Sequence, residues 1–302
     1  MEQSSVLKKE LGITASLLAL GVFFSGLTPT GAQQTSSGSP VLCQHIVRHD
    51  PNYSIYVVKV DLRDPRVAVR VSRGGPDPDG DGPWLTTLLP ASEIAQREHF
   101  DIAINGDFFQ ARATTDIEGK HTGYVRGKFA APEGPAMTDG QLWHGLSNAC
   151  ASLEITSSNT AMVVEERALG PVDPNARQIL GGRPVLVRHG EAVSWHSKLA
   201  TARHPRSAVG VNRNGTELTL FVVDGRQPGL SIGMTLDELS QEMIRLGCDN
   251  ALNLDGGGST TLVYREPATH QLKVVNSPSD TRERSIADVL GIVVKAPLPS
   301  PD

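Results

Sequence analysis

Three consecutive glycines between a carboxylate and a run of hydroxyls, Asp255-Gly-Gly-Gly-Ser-Thr-Thr261, are the part of this sequence best suited to chemistry. Glycine loses more conformational freedom on folding than any other residue. A run of three therefore persists where a Cβ would not fit or where φ must be positive. Bare N–H groups beside Ser259, Thr260 and Thr261, with one acid in reach, suit a cradle for an anionic or polyhydroxyl ligand. Asp-Gly alone is also a hairpin signal, but a plain turn needs one or two glycines.

Four other polar clusters stand at the ends of apolar runs. They are Asn105-Gly-Asp107-Phe-Phe109, Arg203-His-Pro-Arg206-Ser207, Asp224-Gly-Arg226-Gln227, and Asn276-Ser-Pro-Ser279-Asp280 with Arg282 and Arg284 after it. Strand ends are rigid platforms, and loops at their rim carry function. The clusters are expected to converge on one polar cleft. Each has an ordinary reading beside the functional one: Asn and Asp favour turns, and arginines are usually solvated. The guanidinium fork matches phosphate oxygens, and paired carboxylates suit glycoside hydrolysis. Both sets in one site would suit a sugar phosphodiester, whose leaving group is a phosphate monoester.

The elements that must position these groups are mostly strands. Alternation marks Tyr53 to Val60 and Val67 to Val71, with Asp64-Pro65 between them. Further apolar runs are Ile102 to Ile104, Leu153 to Thr156, Met162 to Val164, Pro184 to Val187, Ala208 to Val211 and Leu218 to Val223. The last are Ala251 to Leu254, Thr261 to Tyr264 and Val289 to Val294. Asn212-Arg-Asn-Gly215 is a hairpin turn. Helix signals are few: Ser92 to Phe100, and Thr235 to Leu246, which opens on a Thr235/Glu238 capping box and carries an apolar face. The fold class expected is α+β, a single domain of strand-rich mixed sheets with few helices.

Residues 1–32 read as a secretory signal peptide, with Lys8 and Lys9 before the apolar run Leu11 to Phe24. A polar linker over 33–40, a domain over 41–296 and a disordered proline-rich tail over 297–302 follow. The expected location is secreted or periplasmic, with no stable membrane span after cleavage. A formal charge of −5 and a pI near 6.0 argue against a nucleic-acid partner, which needs a clustered basic surface. Of three cysteines, Cys43 and Cys150 lie in polar surroundings and are the expected disulfide, while Cys248 reads as a buried thiol. Asp77-Pro-Asp79-Gly-Asp81-Gly82 fits the first half of a calcium loop. Leu88 stands where the closing bidentate acid belongs, which rules out an EF-hand. A looser structural calcium site at Asp77, Asp79 and Asp81 stays open beside the plain reading of a polar loop. No cofactor is required by the chemistry above.

The motifs taken in order, from Arg203-His-Pro-Arg-Ser-Ala-Val-Gly210 through Val222-Val-Asp-Gly-Arg-Gln227 and Gly233-Met-Thr-Leu-Asp-Glu-Leu239 to Ala251-Leu-Asn-Leu-Asp-Gly-Gly-Gly-Ser-Thr260 and Val275-Asn-Ser-Pro-Ser-Asp280, resemble the phosphodiester glycosidase family. The resemblance covers about residues 100–294. It implies hydrolysis of an α-linked sugar from a phosphodiester. It implies that Asn105, Asp107, Arg206, Asp224, Asp255, Gly257, Ser259, Asn276, Ser279, Asp280 and Arg284 line the cleft, with Arg226, Gly256 and Gly258 beside them. Asp255 and Asp224 are the expected acid–base pair, Asp107 and Asp280 the further candidate acids, and Arg206 and Arg284 the phosphate ligands. The chain departs from animal members in its few cysteines, so a microbial envelope or extracellular glycan is the expected substrate source. Two other readings fit the same parts: a metal-assisted phosphodiesterase cleaving P–O, and a non-catalytic protein that binds anionic glycan.

Overall fold

A computed structural model describes residues 38–113, 123–145, 150–165 and 172–301. The signal segment expected over 1–32 lies outside the described residues, as do residues 33–37 of the linker.

Three antiparallel sheets enclose one core. The largest runs, in spatial order, Val41–Arg48, Tyr53–Asp61, Glu217–Val223, Arg206–Val211, Asn250–Asn253, Val185–Arg188, Glu191–Ala192. A second runs Leu272–Val274, Leu262–Arg265, Ile102–Asn105, Asp288–Val294, Val67–Arg73. A third is built from Gln141–His144, Ala136–Thr138, Ala176–Gly182, Ala151–Thr156 and Ala161–Val164. Val58, Val209 and Leu220 from the first, Ile104 and Ile292 from the second, and Leu153 and Leu180 from the third share one buried cluster. The central strands Arg206–Val211 and Asp288–Val294 are buried nearly throughout. Continuous apolar runs, rather than alternation, are what such doubly covered strands need.

Among the described residues there are three α-helices. Helix α1 (Ala91–Arg97) covers the outer face of the second sheet with Ile94 and Ala95, and the Phe100 ring follows it. Helix α2 (Lys198–Thr201) is a single turn capped by Ser197. Helix α3 (Leu236–Arg245) lays Leu236, Leu239 and Met243 on the outer face of the first sheet, against Val57, Phe221 and Ala251. Its capping box is present: Thr235 accepts from the Glu238 amide at 3.2 Å, and the Glu238 carboxylate accepts from the Thr235 amide at 2.9 Å.

Two registers gather the strand-end clusters. In the first sheet Ala208 pairs with Asn253, which brings Arg206 and Asp255 to the same edge. In the second, Asn105 pairs with Val289, so Gly106 meets Asp288, whose carbonyl accepts the Gly106 amide at 3.0 Å. The two edges are joined by Asn105, whose Nδ2 donates to the Asp255 carbonyl at 2.6 Å.

The structure differs from two expectations, the disulfide and the free tail, and bears on one reading left open, the calcium loop. No disulfide joins Cys43 to Cys150. Cys43 is buried in the first sheet against the Tyr264 hydroxyl. Cys150 is buried at the Gly134 and Asp107 end of the molecule, so the two thiols serve separate regions of the interior. The loop at Asp77, Asp79 and Asp81 does not gather its carboxylates. The Asp77 Oδ1 instead accepts the amides of Asp79 and Gly80 at 3.1 and 2.9 Å, and no metal-holding cluster occurs among the described residues. The C-terminal stretch also lies on the core rather than free of it. Leu298 packs on the shared cluster, and the Tyr264 hydroxyl donates to the Pro299 carbonyl at 2.8 Å.

Candidate active site

At the joined sheet edges a cavity of about 220 Å³ is lined by Asp255, Gly256, Gly257, Gly258, Arg206, Arg226 and Arg284, with His204, Phe108 and Leu199. Five segments far apart in sequence contribute to it.

Each of the three glycines answers to a different neighbour. A Cβ on Gly256 would stand 2.8 Å from the Pro205 carbonyl oxygen. Gly257 has φ of +61°, and its Cβ would stand 3.0 Å from the Arg226 guanidinium. A Cβ on Gly258 would fall 2.1 Å from Arg284 Nη2. The bare backbone thus lets two guanidinium groups lie directly against it. The Gly257 amide is spent on the Pro205 carbonyl at 2.9 Å, which ties the glycine turn to the arginine loop.

The arginines are held differently. Arg206 is buried, and its Nε and Nη2 donate to the backbone carbonyls of Met234, Leu199 and Ala202 at 3.0, 2.6 and 2.9 Å. Burial and the neighbouring Arg226 pull its pKa down to about 10, so it stays protonated at neutral pH. Arg226 sits at φ +60° with Nη2 3.2 Å from His204 Nδ1. Among the described residues neither guanidinium has a carboxylate within ion-pair distance. Burial and the two guanidinium groups keep the His204 imidazole below its ordinary pKa, so it is neutral and accepts from Arg226. Arg284 is paired with Asp280 at 2.8 Å and stacks on the Tyr124 ring at 4.7 Å. Arg203, two positions past the end of helix α2, pairs with Glu238 and does not line the cavity.

Three carboxylates share this edge. Asp255 is half-buried on the cavity wall. Its Oδ1 accepts the Gly256 amide at 2.9 Å, and burial, opposed by Ser259 and Arg284, raises its pKa to about 6. Asp107 lies beneath, fully enclosed, accepting the amides of Phe108 at 2.7 Å and Gly134 at 2.5 Å. Its own amide donates to Asp288 Oδ1 at 2.8 Å. Burial raises both Asp107 and Asp288, the latter to about 7, and each also feels a neighbouring carboxylate. Asp288 Oδ2 is buried with no hydrogen-bond partner. A protonated carboxyl costs less to bury than a charged one, so this pair holds a proton at neutral pH.

Other expected site residues act as supports. Asn105 is enclosed; its Oδ1 accepts from the Ser207 hydroxyl at 2.6 Å and the Thr261 amide at 3.1 Å. Asp224 does not line the cavity. Its Oδ1 accepts from Asn276 Nδ2 at 3.1 Å and the Ser277 amide at 2.8 Å, which fastens the 276–280 loop behind the glycines. Asn276 also donates to the Thr260 carbonyl at 3.1 Å. Ser259 is buried between Asp255 and Arg284, whose Nη1 reaches its hydroxyl at 3.5 Å. Asp280 is the partner of Arg284 rather than a free acid, and Ser279 stands off the cavity with its hydroxyl buried and unpartnered.

Asp288, Phe108 and Leu199 were not singled out by spacing. Asp288 is one acid at the head of the apolar run Val289 to Val294, and its only signal is that position. Phe108 and Leu199 look like ordinary core residues in sequence.

Residues 98–293 match the profile of the phosphodiester glycosidase domain. The chain belongs to the phosphodiester glycosidase family. Curated relatives within reach of this family include N-acetylglucosamine-1-phosphodiester α-N-acetylglucosaminidase of Mus musculus, 32% identical over 149 residues, covering 43% of this chain and 28% of the mouse protein. A SPbeta prophage-derived protein of Bacillus subtilis is 38% identical over 105 residues, covering 35% of this chain and 15% of that protein. The matched stretches are thus less than a third of either relative. Among solved structures, the zebrafish N-acetylglucosamine-1-phosphodiester α-N-acetylglucosaminidase catalytic domain, auto-inhibited by its pro-peptide, shares the fold. Its TM-score is 0.58 at 23% identity, over 84% of this chain and 82% of that one. The phosphodiester glycosidase fold is accordingly the mainly-β α+β domain that the strand pattern leads to.

Proposed function

We propose that this protein hydrolyses the glycosidic bond of a sugar-1-phosphodiester outside the cytoplasm, releasing free sugar and a phosphomonoester. The observation that carries this is one cavity in which Arg206 and Arg226, neither ion-paired with a carboxylate among the described residues, stand with Asp255 around bare glycine backbone. The two guanidinium groups and neutral His204 take the phosphate oxygens, and their charge stabilises the phosphate as it leaves. Water adds its oxygen to the anomeric carbon as the carbon–oxygen bond to phosphate breaks. Asp255 is the group that meets the anomeric centre. With a pKa near 6 it is ionised at neutral pH and takes the water's proton, while the leaving phosphate accepts the bond's electrons and needs little acid help. Asp107 and Asp288 hold their proton beneath it and keep Asp255 in place through the Gly106 turn. The location outside the cytoplasm is supported by the signal pattern in residues 1–32.

The test is an α-linked N-acetylglucosamine-1-phosphodiester of methanol, the sugar being taken from the relatives' activity. Free sugar and methyl phosphate are expected in equal amounts, with a rate that rises with pH through about 6. Asp255→Asn should lower kcat/KM at least about 100-fold and abolish that acid limb. Sugar 1-phosphate and methanol as products would refute the reading, as would full activity in the variant.

A further inference from the structure

The edge strand Val67–Arg73 of the second sheet meets a hairpin of the third, Ala136–Thr138 with Gln141–His144, around a cavity of about 300 Å³. Arg70, Ser72, Arg73, Glu98, Asp139 and Trp143 line it, and no lining residue is shared with the glycine cradle. Its volume falls at the lower end of the ~300–1,000 Å³ usual for small-molecule sites.

The charges here do not cancel. Arg70 pairs with Glu98 at 2.5 Å and with Asp139 at 2.8 Å, and Arg97 closes on Glu98 at 2.9 Å. Two cations thus balance two acids, and Arg73 is the surplus. Its Nη1 donates to the Leu85 carbonyl at 3.2 Å, and its guanidinium lies over the Trp143 ring at 4.7 Å. Among the described residues no carboxylate stands within ion-pair distance of it. Burial lowers its pKa, because a partly desolvated cation without a counter-ion is costly. The ring beneath it is fixed in turn. Trp143 Nε1 donates to Thr138 Oγ1 at 3.1 Å, and the Thr138 hydroxyl donates to the Val71 carbonyl at 2.8 Å. Gln178 Nε2 holds Asp139 Oδ1 at 2.8 Å. A guanidinium held in place without a protein acid suits an oxyanion from outside, since little ordering is left to be lost on binding. Around it the Glu98 and Asp139 carboxylates accept from hydroxyls, and the exposed Gln141 amide can do either.

We propose that this cavity is a second ligand site, separate from the cradle, for a small hydroxylated anion: a sugar unit bearing one carboxylate or phosphate, whose anionic group is taken by Arg73. The site stands whether or not the cradle performs the hydrolysis assigned to it.

Three probes separate charge from sugar: methyl glucoside, methyl glucoside 6-phosphate and methyl glucuronide. Each is titrated into ¹⁵N-labelled protein and followed by amide and indole NMR, which needs no turnover. Saturable shifts are expected at Arg73, Asp139, Gln141 and the Trp143 indole with one or both anions. Their affinity there should exceed that of the neutral glucoside at least about 10-fold, the scale of one charge-assisted hydrogen bond. A response to the phosphate alone, or to the glucuronide alone, names the anionic group. Arg73→Gln should bring the anions down to the neutral sugar at these positions, and a dispersed amide spectrum shows that the variant is folded. Should it not fold, Arg73→Lys decides: it keeps the charge without the fork and should still prefer the anions over the neutral glucoside. Equal affinity for all three probes would overturn the inference. So would shifts confined to Gly256, Gly257 and Gly258, which would mean that the cradle alone takes sugar anions.

Discussion

Three adjacent glycines at one loop do three separate jobs, and only one of them concerns backbone shape. Gly257 alone has a positive φ; Gly256 and Gly258 are small because a carbonyl and a guanidinium occupy the Cβ position. Substitution should therefore separate by mechanism. Gly257→Ala places a Cβ in the left-handed region, at a cost of about 1–2 kcal/mol, and pushes on Arg226 at 3.0 Å. A guanidinium at the end of a flexible side chain can yield, so the expected outcome is a folded variant with a modestly lowered melting temperature and a raised KM. Thermal melting and steady-state kinetics check this together. A variant with lowered melting temperature and wild-type KM would mean that Arg226 does not touch substrate.

The elements matter because they carry charge-bearing loops to one edge in fixed register. The strand Asp288–Val294 does so inside the second sheet, between Ile102–Asn105 and Val67–Arg73, and Phe100 packs on its Gly291, where a Cβ would fall 2.1 Å from the ring. Gly291→Ala should destabilise by about 1–3 kcal/mol, the range for overpacking, read as a drop in denaturation midpoint. Because the strand also presents Asp288, loss of activity should follow loss of fold and not precede it. Much of this layer was legible. Alternation over Tyr53 to Val60 and Val67 to Val71 found the strands Tyr53–Asp61 and Val67–Arg73, and Asn212 to Gly215 does turn between two paired strands, with Gly215 at φ +66°. The Thr235/Glu238 box opens α3 as its spacing requires. The edge strand Val41–Arg48 escaped notice because Gln44 and His45 break its alternation and it needs burial on only one side. Asp224 and Asp255 could not be told apart in sequence, since each follows an apolar strand and precedes glycine. Their roles diverge through Asn276 and Ser277, which come from a loop about fifty residues away and close over Asp224 alone.

At the scale of the whole molecule, three sheets meet around a core, and their junction encloses Asp107 and Asp288 beside Asp255. Burial raises all three. In the unfolded chain these acids ionise near pH 3.8, while the native state raises all three, keeping the Asp255 proton up to about 6 and the Asp288 proton up to about 7. Between those limits the native state binds more protons, so this cluster's contribution to stability falls as pH rises. Paired surface acids such as Asp61 and Asp64 have lowered values; their contribution is complete above about pH 4 and does not mask the trend. Asp288→Asn removes one such proton site while leaving an oxygen to accept the Asp107 amide. The variant's melting temperature should gain on wild type as pH rises from 5 to about 7 and level off above that. A difference that does not vary with pH would show that Asp288 is not protonated in the native state. The same enclosure explains why Asp288 was invisible in sequence: its role comes from two sheets meeting, and no local spacing records that.

The central claim is that the bond broken joins the anomeric carbon to the phosphate oxygen, and hydrolysis of the methyl diester in ¹⁸O-water tests it most directly. Mass spectrometry of the products should find the heavy oxygen in the free sugar and none in methyl phosphate. Label in the phosphate product would place the attack at phosphorus and contradict the account.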